Sequence, residues 1–203
     1  VTPARLWTLR ALGLNRVSLG IQDFDPVVQV AVNRVQSYED TRALIDAARD
    51  AGFHSINVDL IYGLPKQSLE GFERTLQLTI DAAPDRVALY NYAHLPQLFK
   101  PQRRINEEDL PSAQTRSQLF DLAVRMFRSA GYAYLGLDHF ARATDELSVA
   151  QREGRLHRNF QGYCAHDAGD LIALGVSSIS AVGSVYAQNE KTRDAYYGRL
   201  MQG

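Results

Sequence analysis

The 203 residues carry 22 Lys and Arg against 23 Asp and Glu, with 45% hydrophobic residues and a formal net charge of −1. This balance exerts no general pull on nucleic acid, and no stretch approaches the ~20 apolar residues of a membrane-spanning helix. The single cysteine, Cys164, excludes an internal disulfide, fits a reducing cytoplasmic setting, and leaves too few thiolates for an iron–sulfur cluster or structural zinc. The length suits one large domain, or one domain and an incomplete neighbour. Val1-Thr2-Pro3-Ala4-Arg5 has neither a signal-peptide pattern nor an initiator Met, so the chain reads as a fragment or a processed product.

In chain order, Thr2 and Pro3 open a helix with Leu6 and Leu9 on its apolar side, and Gly13 stops it. Arg16 to Gln22 reads as a strand, and Asp25-Pro26 begins a short helical piece that ends near Asn33-Arg34. Ser37 with Asp40 resembles a capping box for a helix with Leu44, Ala47, Ala48 and Ala51 inward, closed by Gly52. A strand at about 54–61 follows, then a helix capped by Ser68 with Phe72, Leu76, Ile80 and Ala83 in helical spacing. Arg86 to Tyr92 forms the next strand, and Lys100 to Asp109 reads as a solvated connector. Ser112 opens a long helix with Leu119, Leu122, Ala123 and Met126 on one face, and Gly131 ends it before a strand at Tyr132 to Leu137. Beyond 138 the alternation fails. Asp145 to Arg152 looks helical, Gly169 to Gly183 a buried strand and turn, and 190–200 the start of a helix.

Four helix–strand units in series predict an α/β fold with parallel strands and helical crossovers. The pattern leaves an open doubly wound sheet and part of a barrel equally allowed. Polar residues collect at the strand ends: Gln22 on the first strand, Asp59 late in the second, Asn91 to His94 after the third. In a parallel sheet these ends share the rim where α/β proteins hold ligands. Asp59 lies in an apolar run broken by Gly63 and Pro65, where an unpaired carboxylate would be costly. It therefore needs a partner, whether a ligand or a satisfied structural contact. Arg34 suits bidentate carboxylate binding, although a surface ion pair explains it equally well. Leu156 to Tyr163 combines His157 and Arg158 with aromatic and amide groups, fitting either a flat acidic ligand or an aromatic strand face. No phosphate loop, dinucleotide fingerprint, serine elbow or metal-spaced histidine pair is present.

The ordered segments Leu19-Gly20-Ile21-Gln22-Asp23-Phe24, Val32-Asn33-Arg34-Val35-Gln36, Asp59 to Gln67, Tyr92-Ala93-His94-Leu95-Pro96, Leu137 to Ala141, Ala150 to Gly154 and His157 to Tyr163 together resemble the oxygen-independent coproporphyrinogen III oxidases, a radical S-adenosylmethionine family. The resemblance covers nearly the whole chain. It implies the later strands of a six-strand (β/α) barrel over 1–137 and an incomplete, irregular family-specific extension over 138–203. It also implies oxidative decarboxylation of two propionates of coproporphyrinogen III to vinyls in haem biosynthesis, giving protoporphyrinogen IX. The implied cofactors are S-adenosylmethionine, cleaved to a 5′-deoxyadenosyl radical, and a 4Fe-4S cluster. By position, Gln22, Arg34, Asp59, Ala93 and Ile179 match the family's S-adenosylmethionine-binding residues, and Phe160 and Gln161 match residues near the substrate or reaction centre. The expected partners are coproporphyrinogen III and an electron donor to the cluster, with no nucleic acid or membrane. A cytoplasmic monomer is expected.

The family's Cys-x-x-x-Cys-x-x-Cys motif, glycine-rich segment and early acidic residue are missing, and the C-terminal helical region looks cut short. No residue here is a metal ligand, Cys164 reads as a bystander, and the 203 residues alone are expected to be inactive. The nearest rival is a haem-chaperone-like radical relative; Asn33 to Gln36 and Asn159 to Tyr163 resemble the oxidase more. A non-catalytic tetrapyrrole-binding module is the rival from another class.

Overall fold

The computed structural model describes residues 2–159, 162–166 and 169–202. The chain divides into two compact units, Val1–Val149 and Ala150–Gly203. The first begins with α1 (Pro3–Ala11), β1 (Arg16–Gln22), α2 (Pro26–Ala31), α3 (Tyr38–Asp50), β2 (Ser55–Tyr62), α4 (Leu69–Ala82) and β3 (Arg86–Asn91). It continues through 3₁₀ turns at Lys100–Arg104 and Glu107–Asp109 to α5 (Ala113–Ser129), β4 (Tyr132–Gly136), β5 (His139–Arg142) and the start of α6 (Glu146–Arg152). The helix starts follow their caps. Asp25, Ser37, Ser68 and Ser112 each accept a backbone N–H of the following turn, supplying acceptors that the first turn of a helix lacks.

The sheet order is β1-β2-β3-β5-β4. Strands β1, β2 and β3 are parallel, with Gly20 opposite Asp59 and Asp59 opposite Ala88. The parallel expectation fails at one place. Strand β5 runs antiparallel to both β3 and β4 and separates them. The backbone turns back at Gly136 (φ +117°) and Leu137 (φ +51°), which carries the chain from β4 straight into its hairpin partner. The first unit holds sheet residues to Arg142.

Period-two burial divides this sheet into an apolar and a polar face. Leu19 and Ile21, then Ile56, Val58 and Leu60, then Val87 and Leu89, form the apolar face with Phe140. Leu6, Ile45, Phe72, Leu76, Leu119 and Phe127 complete the same buried cluster from the helices. Burial of such side chains contributes roughly 1.5–3 kcal/mol each against exposure. In α3 the buried side chains are Thr41, Ile45 and Ala48, a stripe one residue away from Leu44 and Ala47, which are partly buried. The opposite sheet face carries Ser18, Gly20 and Gln22, then Asn57, Asp59 and Ile61, all half-buried or exposed. The fold therefore spends its apolar residues under the helices and keeps its polar strand residues together on the other side.

The second unit contains two hairpins, β6 (His157–Asn159) with β7 (Gly162–Cys164) and β8 (Ile179–Val182) with β9 (Val185–Gln188), and α7 (Arg193–Leu200). The strand expected within Gly169 to Gly183 is present but not buried: Ile179 to Ala181 are half-buried and β9 is exposed throughout. A two-stranded ribbon has too little neighbouring mass to cover both of its faces. The expected helix near 190–200 forms, with Thr192 as its cap.

Candidate functional site

The end of β1 sets the site. Its register with β2 shifts between Gly20 and Gln22, and Gln22 has a positive φ of 69°. Irregularity of this kind re-aims a side chain at a strand end. The Arg34 guanidinium donates through Nη2 to the Gly20 carbonyl at 2.8 Å. A Cβ added to Gly20 would stand 2.6 Å from Gln22 Nε2 and 2.9 Å from Arg34 Nη2. A side chain at position 20 would thus displace the two polar groups that meet there. Arg34 is held from behind as well. Its N–H reaches the Gln29 carbonyl at 2.8 Å, while the buried Gln29 amide donates to the Asp23 and Gln36 carbonyls and accepts from Gln36 N.

The ends of β1 and β2 are joined through a buried carboxylate. Asp23, 1% exposed, accepts from Thr75 Oγ1 at 2.5 Å, Asp25 N at 2.7 Å and Gln67 Nε2 at 2.6 Å. Gln67 Oε1 in turn accepts from Gly63 N at 2.6 Å, and its Nε2 also donates to Ile61 O at 3.0 Å. Burial pushes the Asp23 carboxyl above its ordinary range, although these donors oppose the shift. The network fixes the loop of Gly63, Leu64 and Pro65. Asp23 and Gln67 lie within motifs that the sequence displays, but no role for them follows from sequence alone. A buried carboxylate with three donors emerges only when residues 44 and 52 positions apart meet.

Asp59 is half-buried and paired. Ser18 Oγ donates to its Oδ2 at 3.0 Å and Asn57 Nδ2 to its Oδ1 at 2.8 Å, with Asn57 also donating to Ser18 at 2.9 Å. Its cost of burial is met by neighbours on the same sheet face. Tyr90, beyond it on β3, has its phenol pushed up, first by burial and then by the Asp59 and Asp138 charges. His139 stands edge-on to Tyr90 at 6.3 Å, and its Nδ1 lies 2.5 Å from Asp138 Oδ1.

A cleft of about 740 Å³ opens beside these strand ends. Gln22, Asn33 and Arg34 line it from the β1 side, Ile61 and Leu64 from the end of β2, and Tyr92, Gln102 and Arg104 from beyond β3. Its size and its mixture of apolar walls with amide, phenol and guanidinium groups suit a small organic ligand. The stretch Lys100 to Asp109 is more than the solvated connector expected, because the Gln102 side chain pins it. Gln102 Oε1 accepts from Leu95 N at 2.5 Å and its Nε2 donates to the Ala93 carbonyl at 3.0 Å. A tertiary clamp of this kind leaves no periodic signal.

Of the expected site residues, Gln22 and Arg34 line this cleft. Asp59 is not among the lining residues but lies on β2 opposite Gly20, whose carbonyl Arg34 holds, and exposed Ala93 directly follows the lining residue Tyr92. Ile179 lies in β8 of the second unit. Phe160 and Gln161 are outside the described residues. Arg158 lies over the Tyr163 ring at 5.8 Å, consistent with a cation–aromatic contact inside the β6–β7 hairpin.

Residues 1–79 match the Radical SAM superfamily. The chain is 52% identical over 195 residues to the oxygen-independent coproporphyrinogen III oxidase of Pseudomonas aeruginosa, covering 96% of this chain and 42% of that protein. The Escherichia coli protein of the same name is 51% identical over 192 residues, covering 95% and 42%. Coproporphyrinogen III oxidase from Escherichia coli, described with its structure as a radical SAM enzyme, superposes with a TM-score of 0.96 at 48% identity. That match covers 100% of this chain and 46% of the other, and it resolves the choice between open sheet and barrel in favour of a partial radical SAM barrel. The chain spans less than half the length of these relatives. In sequence and in fold, the chain is similar to one segment of the oxygen-independent coproporphyrinogen III oxidases, and its first 79 residues match the Radical SAM superfamily.

Proposed function

We propose that the chain is a portion of an enzyme that oxidatively decarboxylates two propionates of coproporphyrinogen III to vinyls, giving protoporphyrinogen IX in haem biosynthesis. The observation that carries this reading is the relatedness across 96% of the chain, joined to a cleft where Gln22 and Arg34 stand together. Each propionate loses one hydrogen, carbon dioxide and an electron, so the balance requires a hydrogen-atom acceptor and an electron acceptor. S-adenosylmethionine, when bound beside a reduced 4Fe-4S cluster, supplies the radical chemistry that removes the hydrogen.

The donor set on this chain fits S-adenosylmethionine. Arg34 spends one N–H on Gly20 and offers the rest of its planar fork to the amino-acid carboxylate, with the Gln22 amide alongside. The proposal gives Asp59 the cofactor's donor groups, Ala93 a backbone contact and Ile179 an apolar one. Ala93 O already accepts from Gln102 and has one lone pair left to offer. Phe160 and Gln161 are assigned to the substrate side. A 4Fe-4S cluster does not fit the residues of this chain. Cys164 is the sole thiol, and among the described residues no group of three or more His, Cys, Asp or Glu is disposed to hold a metal. The proposal therefore takes the cluster's ligands from outside these residues and assigns turnover to the longer protein. The partner donating electrons to the cluster, a monomeric state and a cytoplasmic location complete the reading. Among the described residues no helix is long and apolar enough to cross a membrane.

The test is an anaerobic assay of the protein that contains this chain together with its cluster-binding cysteines. Conversion of coproporphyrinogen III to protoporphyrinogen IX that depends on S-adenosylmethionine is the expected result. Haem binding without decarboxylation would assign the chain to the haem-chaperone-like relatives instead.

A further inference from the structure

The cleft holds a second guanidinium that the cofactor does not explain. Arg104 lines it from the 3₁₀ turn at Lys100–Arg104, on an element separate from the Asn33–Arg34 turn that carries the first. The neighbouring Arg103 is spent within the loop, its Nε donating to the Pro96 carbonyl at 3.0 Å. The Arg104 guanidinium, by contrast, makes no hydrogen bond or ion pair among the described residues. None of the residues lining the cleft is acidic, in a protein whose net charge is −1. Arg16 and Arg86, at the other end of the sheet, are instead paired with Glu146 and Asp145. Two guanidiniums without a counter-charge, in a partly apolar recess, make a site for two anionic groups. One guanidinium fork matches one carboxylate, so the pair has the capacity for two. The Arg104 turn is also held ready: Gln102, two residues earlier, ties it to the backbone of Ala93 and Leu95.

We propose that Arg104 binds a propionate carboxylate of the substrate, leaving Arg34 for the carboxylate of the cofactor. Arg104 then selects for a substrate bearing acid side chains and seats it against the cofactor in one cleft. This inference rests on the functional reading above and adds to it a specificity-determining residue.

The test compares the full-length enzyme with its Arg104→Ala and Arg104→Lys variants, in anaerobic steady-state kinetics with coproporphyrinogen III and in direct S-adenosylmethionine binding. Arg104→Ala should raise KM for the porphyrinogen about ten-fold or more, the size of one lost hydrogen bond to a charged group. Affinity for S-adenosylmethionine should stay the same, and Arg104→Lys should recover part of the loss, because an ammonium keeps the charge but not the fork. An unchanged KM in an active Arg104→Ala enzyme overturns the inference, as does an equal loss of cofactor affinity. Absence of turnover in the unsubstituted enzyme would instead remove the functional reading, and this inference with it.

Discussion

Gln67 donates through Nε2 to the buried carboxylate of Asp23 across 2.6 Å, joining the loop after β2 to the end of β1. Asp23 Oδ1 already serves Thr75 and Asp25 N. An Asp23→Asn side chain must keep an oxygen there and turn its own amide hydrogens toward the Gln67 donor. The expected cost is about 1–3 kcal/mol, as for a buried polar group left unsatisfied. Chemical denaturation of the two proteins measures it, and equal midpoints would remove the network from the account.

Gly20→Ala separates site from fold. The added methyl meets only the ends of two flexible side chains, Gln22 Nε2 and Arg34 Nη2, which can swing away. Stability should change by less than ~1 kcal/mol, while S-adenosylmethionine binding by the full-length enzyme weakens several-fold. Loss of folding with no separable loss of affinity would contradict this placement.

Asp59→Asn should weaken S-adenosylmethionine binding in the full-length enzyme while leaving cluster content intact. The substitution sets an amide against Asn57 Nδ2 or Ser18, both of which donate to the carboxylate. Iron and sulfide analysis beside a binding titration distinguishes the outcomes, since unchanged affinity would reduce Asp59 to a structural contact.

The opposite end of the sheet carries a pH dependence. Burial alone would raise the Glu146 carboxyl, but hydrogen bonds from Arg86 and Arg16, with their charges, outweigh it and hold the group below its ordinary value. A depressed carboxylate contributes stability that is complete above the unfolded pKa of about 4.3 and is lost as pH falls through the folded value. Glu146→Gln should therefore flatten the acid limb of the stability profile and leave its shape above that range unaltered. An acid limb of identical steepness in both proteins would contradict the assignment.

Most of the strand–helix order is legible in the sequence, because Ser37, Ser68 and Ser112 cap where they stand and Gly13, Gly52 and Gly131 end helices with positive φ. Gln22 and Arg34 are legible as polar residues near a strand end. Their meeting over Gly20 is not, since it depends on a register shift and a left-handed residue. Strand β5 escapes detection because its four residues are too short for a period, and its place between β3 and β4 is set by tertiary pairing. Arg104 sits in a charged stretch that reads as solvated. Only the Gln102 clamp turns that stretch toward the cleft.

The central claim is that the recess at the end of β1 holds the carboxylate of S-adenosylmethionine on Arg34. Calorimetric titration of the cluster-loaded full-length enzyme with S-adenosylmethionine, with and without Arg34→Ala, tests it directly. Affinity should fall about ten-fold or more at unchanged cluster content. Equal affinity in the two proteins would place the cofactor elsewhere.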